Sequence, residues 1–158
     1  AHGVDKKSKK KFPWNRDAQI PGQNFRLSNL QAAIGCAQLE RIDEILEWRE
    51  TVEDRYTRIF DKYPFIKGQN QIVRSKKIPW LVSALIINKD VDKFIEHFNN
   101  NGIDARNLFY PLSSMDIYKK LSQSDNEVSK KLSSIGVSFP THTNINFKHI
   151  EDVLETIK

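Results

Sequence analysis

The segment Gly22-Gln23-Asn24-Phe25-Arg26-Leu27-Ser28-Asn29 carries the most suggestive chemistry in the chain. Asn24 supplies an amide donor and Arg26 a fork of donors, and both precede a sequence that reads as a helix start. A helix start adds unpaired backbone N–H groups and the positive end of the macrodipole. Together these groups can hold a phosphate. The same residues also suit a purely structural loop. The four histidines, His2, His97, His142 and His149, share no metal-ligand spacing. His97 falls on the polar side of a predicted helix and His149 near the start of another, which are structural or solvent positions. His2 and His142 fall in loops, where site residues are more frequent. Cys36 sits among Ala32, Ala33, Gly35 and Ala37 and reads as packing rather than as a nucleophile. As the one cysteine, it excludes an internal disulfide framework and a cysteine-rich zinc site, and makes a reducing compartment the default. No Walker-type, GxGxxG or GxSxG loop occurs.

These residues need elements to position them. Residues 1–23 read as loop, with Pro13, Pro21 and Gly22 as punctuation. Ser28 and Gln31 form a predicted capping box. Leu30, Ile34, Ala37, Ile42, Ile45, Leu46, Val52, Tyr56, Ile59 and Phe60 follow at helical spacing until Pro64. An unbroken helix there would be about 35 residues and roughly 52 Å long. That length predicts either two helices in succession or one helix that runs between domains or along a dimer partner. Its first half is rich in small residues, so another backbone can approach, and Gly35 implies a packing reason. Its second half, with Arg49, Glu50 and Glu53, reads as a solvated outer face.

From Pro64 onward, short strands alternate with short helices. Strands are predicted at residues 71–74, at 79–87 with apolar residues on both faces, at 103–106 and at 137–139. Helices are predicted at 91–101, closed by Gly102, at 127–134 and at 147–157. Residues 108–118 read as loop with one helical turn. The class is α/β, a small α+β domain whose helices cover one face of a short sheet.

The 158 residues suffice for one ordinary domain or a small domain with an appendage. Hydrophobic residues at 39% and charged residues at 28% fit a folded globular chain. No apolar run approaches the roughly 18 residues of a membrane helix. Lys6, Lys7, Lys9, Lys10, Lys11 and Arg16 against Asp5 and Asp17 carry four of the five net positive charges. The basic character therefore belongs to one short loop, and a nucleic-acid footprint spread over a face is not expected. The chain starts at Ala1 without a Met and reads as a piece of a longer polypeptide, so a targeting segment cannot be judged.

The stretch GQNFRLSNLQAAIGCAQLERIDEILEWRE resembles the signature of the DegT-type nucleotide-sugar aminotransferases, pyridoxal-phosphate enzymes of the aspartate-aminotransferase fold. Further resemblances follow in order: His2-Gly3, Trp80 at a strand start, GIDARNLFYPLSSMDIY from Gly102 to Tyr118, and SIGVSFPTHTNI from Ser134 to Ile145. They cover essentially the whole chain. The resemblance implies residues 1–27 as a loop from the large domain with the cofactor-contact segment. It implies 28–63 as a long interdomain or dimer helix and 64–158 as the small C-terminal domain. Asn24 matches the asparagine that reaches the neighbouring subunit's cofactor phosphate, and Arg26 the adjacent arginine. His2, Phe109 and Tyr110 match positions around the sugar-nucleotide cleft.

The resemblance further implies amino transfer from glutamate to a nucleotide-linked keto-sugar in a cytoplasmic homodimer with shared active sites. Polysaccharide or deoxyaminosugar biosynthesis is the expected setting. Two other readings stand beside it: a sugar dehydratase of the same family, and a non-catalytic dimerisation or binding remnant. The chain departs from the family pattern at Gln23, where an aromatic is usual, and at Ser113, where His is usual. The cofactor-binding lysine is expected upstream of His2, so no catalytic residue is expected in this segment and the segment alone is expected to be inactive.

Overall fold

The computed structural model describes residues 26–70, 73–118, 120 and 126–157. The chain divides into two compact units, Ala1–Ile42 and Asp43–Lys158. The loop expected over residues 1–23, with its lysine run, lies outside the described residues.

In the first unit, α1 (Asn29–Leu39) begins at the capping box that the sequence predicts. The backbone N–H of Gln31 donates to Ser28 Oγ at 3.2 Å, and the N–H of Ser28 donates to Gln31 Oε1 at 3.0 Å. Two donors that a helix start leaves over are thereby satisfied. The helix buries none of its residues. A Cβ built on Gly35 meets nothing within 4 Å among the described residues, so none of them supplies the packing reason expected for this glycine. Cys36 is likewise exposed rather than packed.

Glu40 and Arg41 form a turn, and α2 (Ile42–Phe60) follows. Of the two readings of the long helical stretch, the structure therefore takes the two-helix one. The second helix ends before Pro64, because the N–H groups of Lys62 and Tyr63 turn back to the carbonyls of Ile59 and Phe60. Its inward stripe is Val52, Tyr56, Ile59 and Phe60, spaced at one helical turn.

The sheet has four strands in the order β1-β2-β4-β3: β1 (Ile66–Gly68), β2 (Val82–Ile86), β3 (Arg106–Asn107) and β4 (Gly136–Phe139). Every neighbouring pair is antiparallel. Of the strand expected at 71–74, residues 71 and 72 lie outside the described residues, and the other two are not in a strand. Val73 and Arg74 lie in a turn, with Arg74 at φ 73°, and the edge strand forms earlier, where Ile66 pairs with Ile86. The strand expected to be apolar on both faces is shorter and one-sided. In β2, Val82, Ala84 and Ile86 are buried while Ser83 and Leu85 are half-buried. Ser83 opposes Ser138 of β4, and their hydroxyls lie 3.0 Å apart.

Two more helices close the core. In α3 (Val91–Asn100), Asp90 caps the start by accepting from the N–H of Lys93 at 3.1 Å. Gly102 ends it at φ +76°, where a side chain would be strained, and the N–H of Ile103 returns to the carbonyl of Phe98. The last helix, α5 (Phe147–Glu155), is capped by Asn146. Phe139 stands at the centre of the core. Its ring lies 4.9 Å from that of Phe60, 5.6 Å from Tyr56 and 5.7 Å from Phe98. Burying one such side chain contributes about 1.5–3 kcal/mol. Helices α2, α3 and α5 thus cover one face, as expected. The remaining helix, α4 (Glu127–Ile135), is the exception. Its Leu132 lines a hollow of about 420 Å³ together with Ser83, Leu85 and Leu108, residues of the opposite face.

Candidate functional site

Of the residues singled out in the sequence, Asn24 and His2 lie outside the described residues. Arg26 is exposed, two positions ahead of the N-cap Ser28. Phe109 and Tyr110 follow β3 and are 73% and 60% exposed. The structure brings Phe109, but not Tyr110, into a cleft of about 620 Å³ within the second unit. Arg49, Trp80, Asp104, Arg106, Phe109 and His142 are among the residues lining it. These side chains come from α2, the entry to β2, the two ends of β3 and the loop after β4.

Trp80 and Phe109 form the cleft's apolar surface. Their rings lie 6.1 Å apart at an interplanar angle of 19°, and Trp80 is 66% exposed. The backbone of Trp80 is fixed by α2. Arg49 Nη1 donates to the Trp80 carbonyl at 2.8 Å and to Thr141 Oγ1 at 3.2 Å. The Thr141 hydroxyl donates to the same carbonyl at 3.1 Å. Just before Trp80, Lys76 pairs with Glu50 at 3.0 Å and Lys77 pairs with Glu53. The α2 face that reads as solvated is therefore the face that clamps residues 76–80. Arg49 was illegible because its partners lie far along the chain; the adjacent Trp48-Arg49 pair, with the guanidinium over the indole at 4.7 Å, is the one local hint.

The polar side of the cleft carries both signs. Arg106 donates to Asp104 from Nε at 2.9 Å and from Nη2 at 2.7 Å. This pairing holds the Asp104 carboxyl below the usual carboxylate range. His142 accepts at Nδ1 from the N–H of Asn144 at 3.2 Å, which leaves the proton of the neutral ring on Nε2. The other two described histidines have structural partners. His97 Nε2 lies 2.8 Å from Thr156 Oγ1, and His149 Nε2 donates to the Asn101 carbonyl at 2.8 Å. Among the described residues, no group of three His, Cys, Asp or Glu could hold a metal ion.

The chain matches the sequence model of the DegT/DnrJ/EryC1/StrS aminotransferase family over residues 1–158. The chain belongs to this family. It is 28% identical to the GDP-perosamine synthase of Caulobacter vibrioides over 98% of its length, which is 41% of that protein. It is 25% identical to the UDP-4-amino-4,6-dideoxy-N-acetyl-beta-L-altrosamine transaminase of Helicobacter pylori over 86% of the chain and 37% of that protein. Among solved structures, it is similar to PseC of Helicobacter pylori, an aminotransferase involved in the biosynthesis of pseudoaminic acid, at a TM-score of 0.77 and 24% identity. That match covers 98% of the chain and 42% of PseC. A sugar aminotransferase, Spr1654 of Streptococcus pneumoniae, solved in its PMP form, gives a TM-score of 0.80 at 19% identity, over 98% of this chain and 42% of that one. These likenesses show the fold, that of the fold-type I sugar aminotransferases. The chain spans about two fifths of the length of the curated relatives it matches.

The family's cofactor is pyridoxal phosphate. Lys62, Lys76, Lys77, Lys93, Lys130 and Lys148 are each ion-paired with a carboxylate. Lys62 and Lys148 are held above the ordinary lysine range by their hydrogen bonds to Glu151 and Asp152, the reverse of what a nucleophilic amine requires. No described helix is long and apolar enough to cross a membrane.

Proposed function

We propose that this chain is the C-terminal portion of an aminotransferase that moves an amino group from glutamate to a keto-sugar carried on a nucleotide. In this reading, the enzyme works in the cytoplasm as a homodimer with shared active sites, in polysaccharide or deoxyaminosugar biosynthesis. The observation that carries the reading is the match of all 158 residues to the family, together with relatives named for nucleotide-sugar amination. Pyridoxal phosphate, when bound, supplies the electron sink for moving the amino group. The lysine that links it comes from the part of the enzyme ahead of this chain, so the chain alone is inactive.

This chain's own contribution is binding and orientation. Asn24 donates to the cofactor phosphate across the dimer interface, and Arg26 orients the segment that carries it. His2, Phe109 and Tyr110 lie around the sugar-nucleotide cleft. The test is made in the complete holoenzyme. Glutamate and a nucleotide-linked keto-sugar should yield 2-oxoglutarate and an amino-sugar. A product that loses a hydroxyl without gaining nitrogen would move the reading to a dehydratase. Asn24→Ala should weaken cofactor affinity by about 1–3 kcal/mol, as loss of a charge-assisted hydrogen bond does. Unchanged affinity would make Asn24 a structural loop residue only.

A further inference from the structure

We propose that Asn101-Gly102, at the end of α3, is a self-modifying site held shut by α5. The Asn101 amide converts to a carboxylate only when His149 releases the Asn101 carbonyl, so the modification marks chains whose last helix has come loose. This inference stands apart from the amino-transfer reading. Of the chain's asparagines, Asn101 alone precedes a glycine. Glycine has no side chain to hinder its own nitrogen, so this pair is the one best suited to ring closure. The Gly102 nitrogen loses its proton and attacks Asn101 Cγ. A Cγ–N bond forms, the Cγ–Nδ2 bond breaks, and the departing nitrogen takes up that proton and leaves as ammonia. Water then opens the five-membered ring at either carbonyl. The products are an aspartate and its isomer, in which the backbone runs through the side-chain carbon. Both residues are exposed, so water reaches the pair.

The folded chain opposes that attack at three points. The Gly102 N–H donates to the Asn99 carbonyl at 3.0 Å, which keeps the nucleophile protonated and turned into the helix end. Asn101 Nδ2 donates to the His97 carbonyl at 2.8 Å, which holds the leaving group. From α5, His149 Nε2 donates to the Asn101 carbonyl oxygen at 2.8 Å. That oxygen and the Gly102 nitrogen belong to one rigid peptide plane, so the plane is pinned at both edges. With Asn101 at ψ 15°, the nitrogen points away from Cγ and reaches it only if this plane rotates. Rotation breaks both bonds of the plane together. The bond to Asn99 is local to α3, whereas the bond from His149 spans 48 positions and exists only while α5 is docked. The change is not undone by refolding. The new carboxylate replaces the donor to His97 and stands at the negative end of α3. The isomer lengthens the backbone just ahead of Ile103 and Ala105, which are buried.

The test incubates the full chain in buffer and in urea at mildly alkaline pH. Peptide-map mass spectrometry follows Asn101, with Asn99 and Asn100 beside it as internal controls. Conversion should concentrate at Asn101. It should run at least about 10-fold slower in the folded chain than in urea, since the folded chain reacts only through its open fraction. His149→Ala should raise the folded rate roughly 2- to 10-fold, the effect of losing one hydrogen bond, and leave the urea rate unchanged. His149→Gln, which keeps a donor, should restore part of the protection. Circular dichroism should find both variants folded, because His149 is exposed. Hydrogen exchange at the Gly102 amide needs no variant and should show protection in the wild type. Equal rates in buffer and urea, an unprotected Gly102 amide, or an unchanged rate in a folded His149→Ala overturns the proposal. Conversion at Asn99 or Asn100 in place of Asn101 overturns it as well.

Discussion

Arg49 Nη1 donates to the carbonyl oxygen of Trp80 at 2.8 Å although the two residues lie 31 positions apart. The same nitrogen reaches Thr141 Oγ1, which itself donates to that carbonyl. One oxygen thus joins α2, the entry to β2 and the loop after β4. Arg49 positions Trp80 through its backbone and also pins three segments of the fold.

Arg49→Ala should therefore lower stability as well as loosen the indole. The carbonyl keeps Thr141 as a donor, so the expected loss is about 1–3 kcal/mol rather than the cost of a fully orphaned acceptor. Arg49→Lys should recover only part of this, because a single ammonium cannot reproduce the planar fork. Urea unfolding of the three proteins measures the difference. An unchanged midpoint in Arg49→Ala would mean that the hydrogen bonds are not made in solution.

Tyr56 is the one phenol inside the aromatic core, fully buried, with its hydroxyl donating to the Pro140 carbonyl at 2.8 Å. Burial pushes its pKa up from the ordinary 10.0. The folded state therefore keeps the proton that the unfolded chain gives up, and stability should fall as pH rises beyond the ordinary tyrosine value. Tyr56→Phe should reduce that alkaline slope, while costing about 0.5–1.5 kcal/mol near neutrality for the lost hydrogen bond. Urea midpoints at neutral pH and about one unit above the free phenol's value compare the two proteins. Equal slopes would place the Tyr56 hydroxyl in contact with water.

The parts of this fold that were legible in the sequence are those decided by neighbouring residues. Ser28 and Gln31 announce the start of α1, and Gly102 announces the end of α3, because caps are local chemistry. The edge strand β1 was not legible. Ile66-Lys67-Gly68 is too short to show a period, and it becomes a strand only because β2 lies beside it. Arg49 was misread for a related reason: a charged residue on an amphipathic helix looks the same whether it meets water or a carbonyl far along the chain. Phe109 came from the family resemblance, and the structure adds its stacking partner, Trp80, 29 positions earlier in the chain.

Gly136 sets the fit between β4 and the segments that pass over it. A Cβ there would lie 2.0 Å from Leu108 Cδ1 and 2.6 Å from the Leu132 carbonyl oxygen. The leucine side chain can rotate, but the helix carbonyl cannot move without shifting α4. Gly136→Ala should cost about 1–3 kcal/mol, as overpacking does. A Leu108→Ala background should relieve part of it. If the double variant is no better relative to Leu108→Ala alone, the obstruction lies in the Leu132 backbone.

Gly35 poses the opposite case. No described residue lies within 4 Å of a Cβ built there, so Gly35→Ala in the chain by itself should be neutral or stabilise α1 by up to about 1 kcal/mol. Leu30, Ile34 and Leu39 on the same helix are 74%, 58% and 66% exposed. If the homodimer proposed above packs another backbone on this small-residue helix, the added methyl should weaken association while leaving the monomer intact. Sedimentation equilibrium and thermal unfolding, run on the wild type and Gly35→Ala in both the chain and the complete enzyme, separate the two effects. A weaker dimer with an equally or more stable monomer places Gly35 at the interface. An unchanged dimer removes α1 from it, and the small residues of this helix would then need another explanation than close approach.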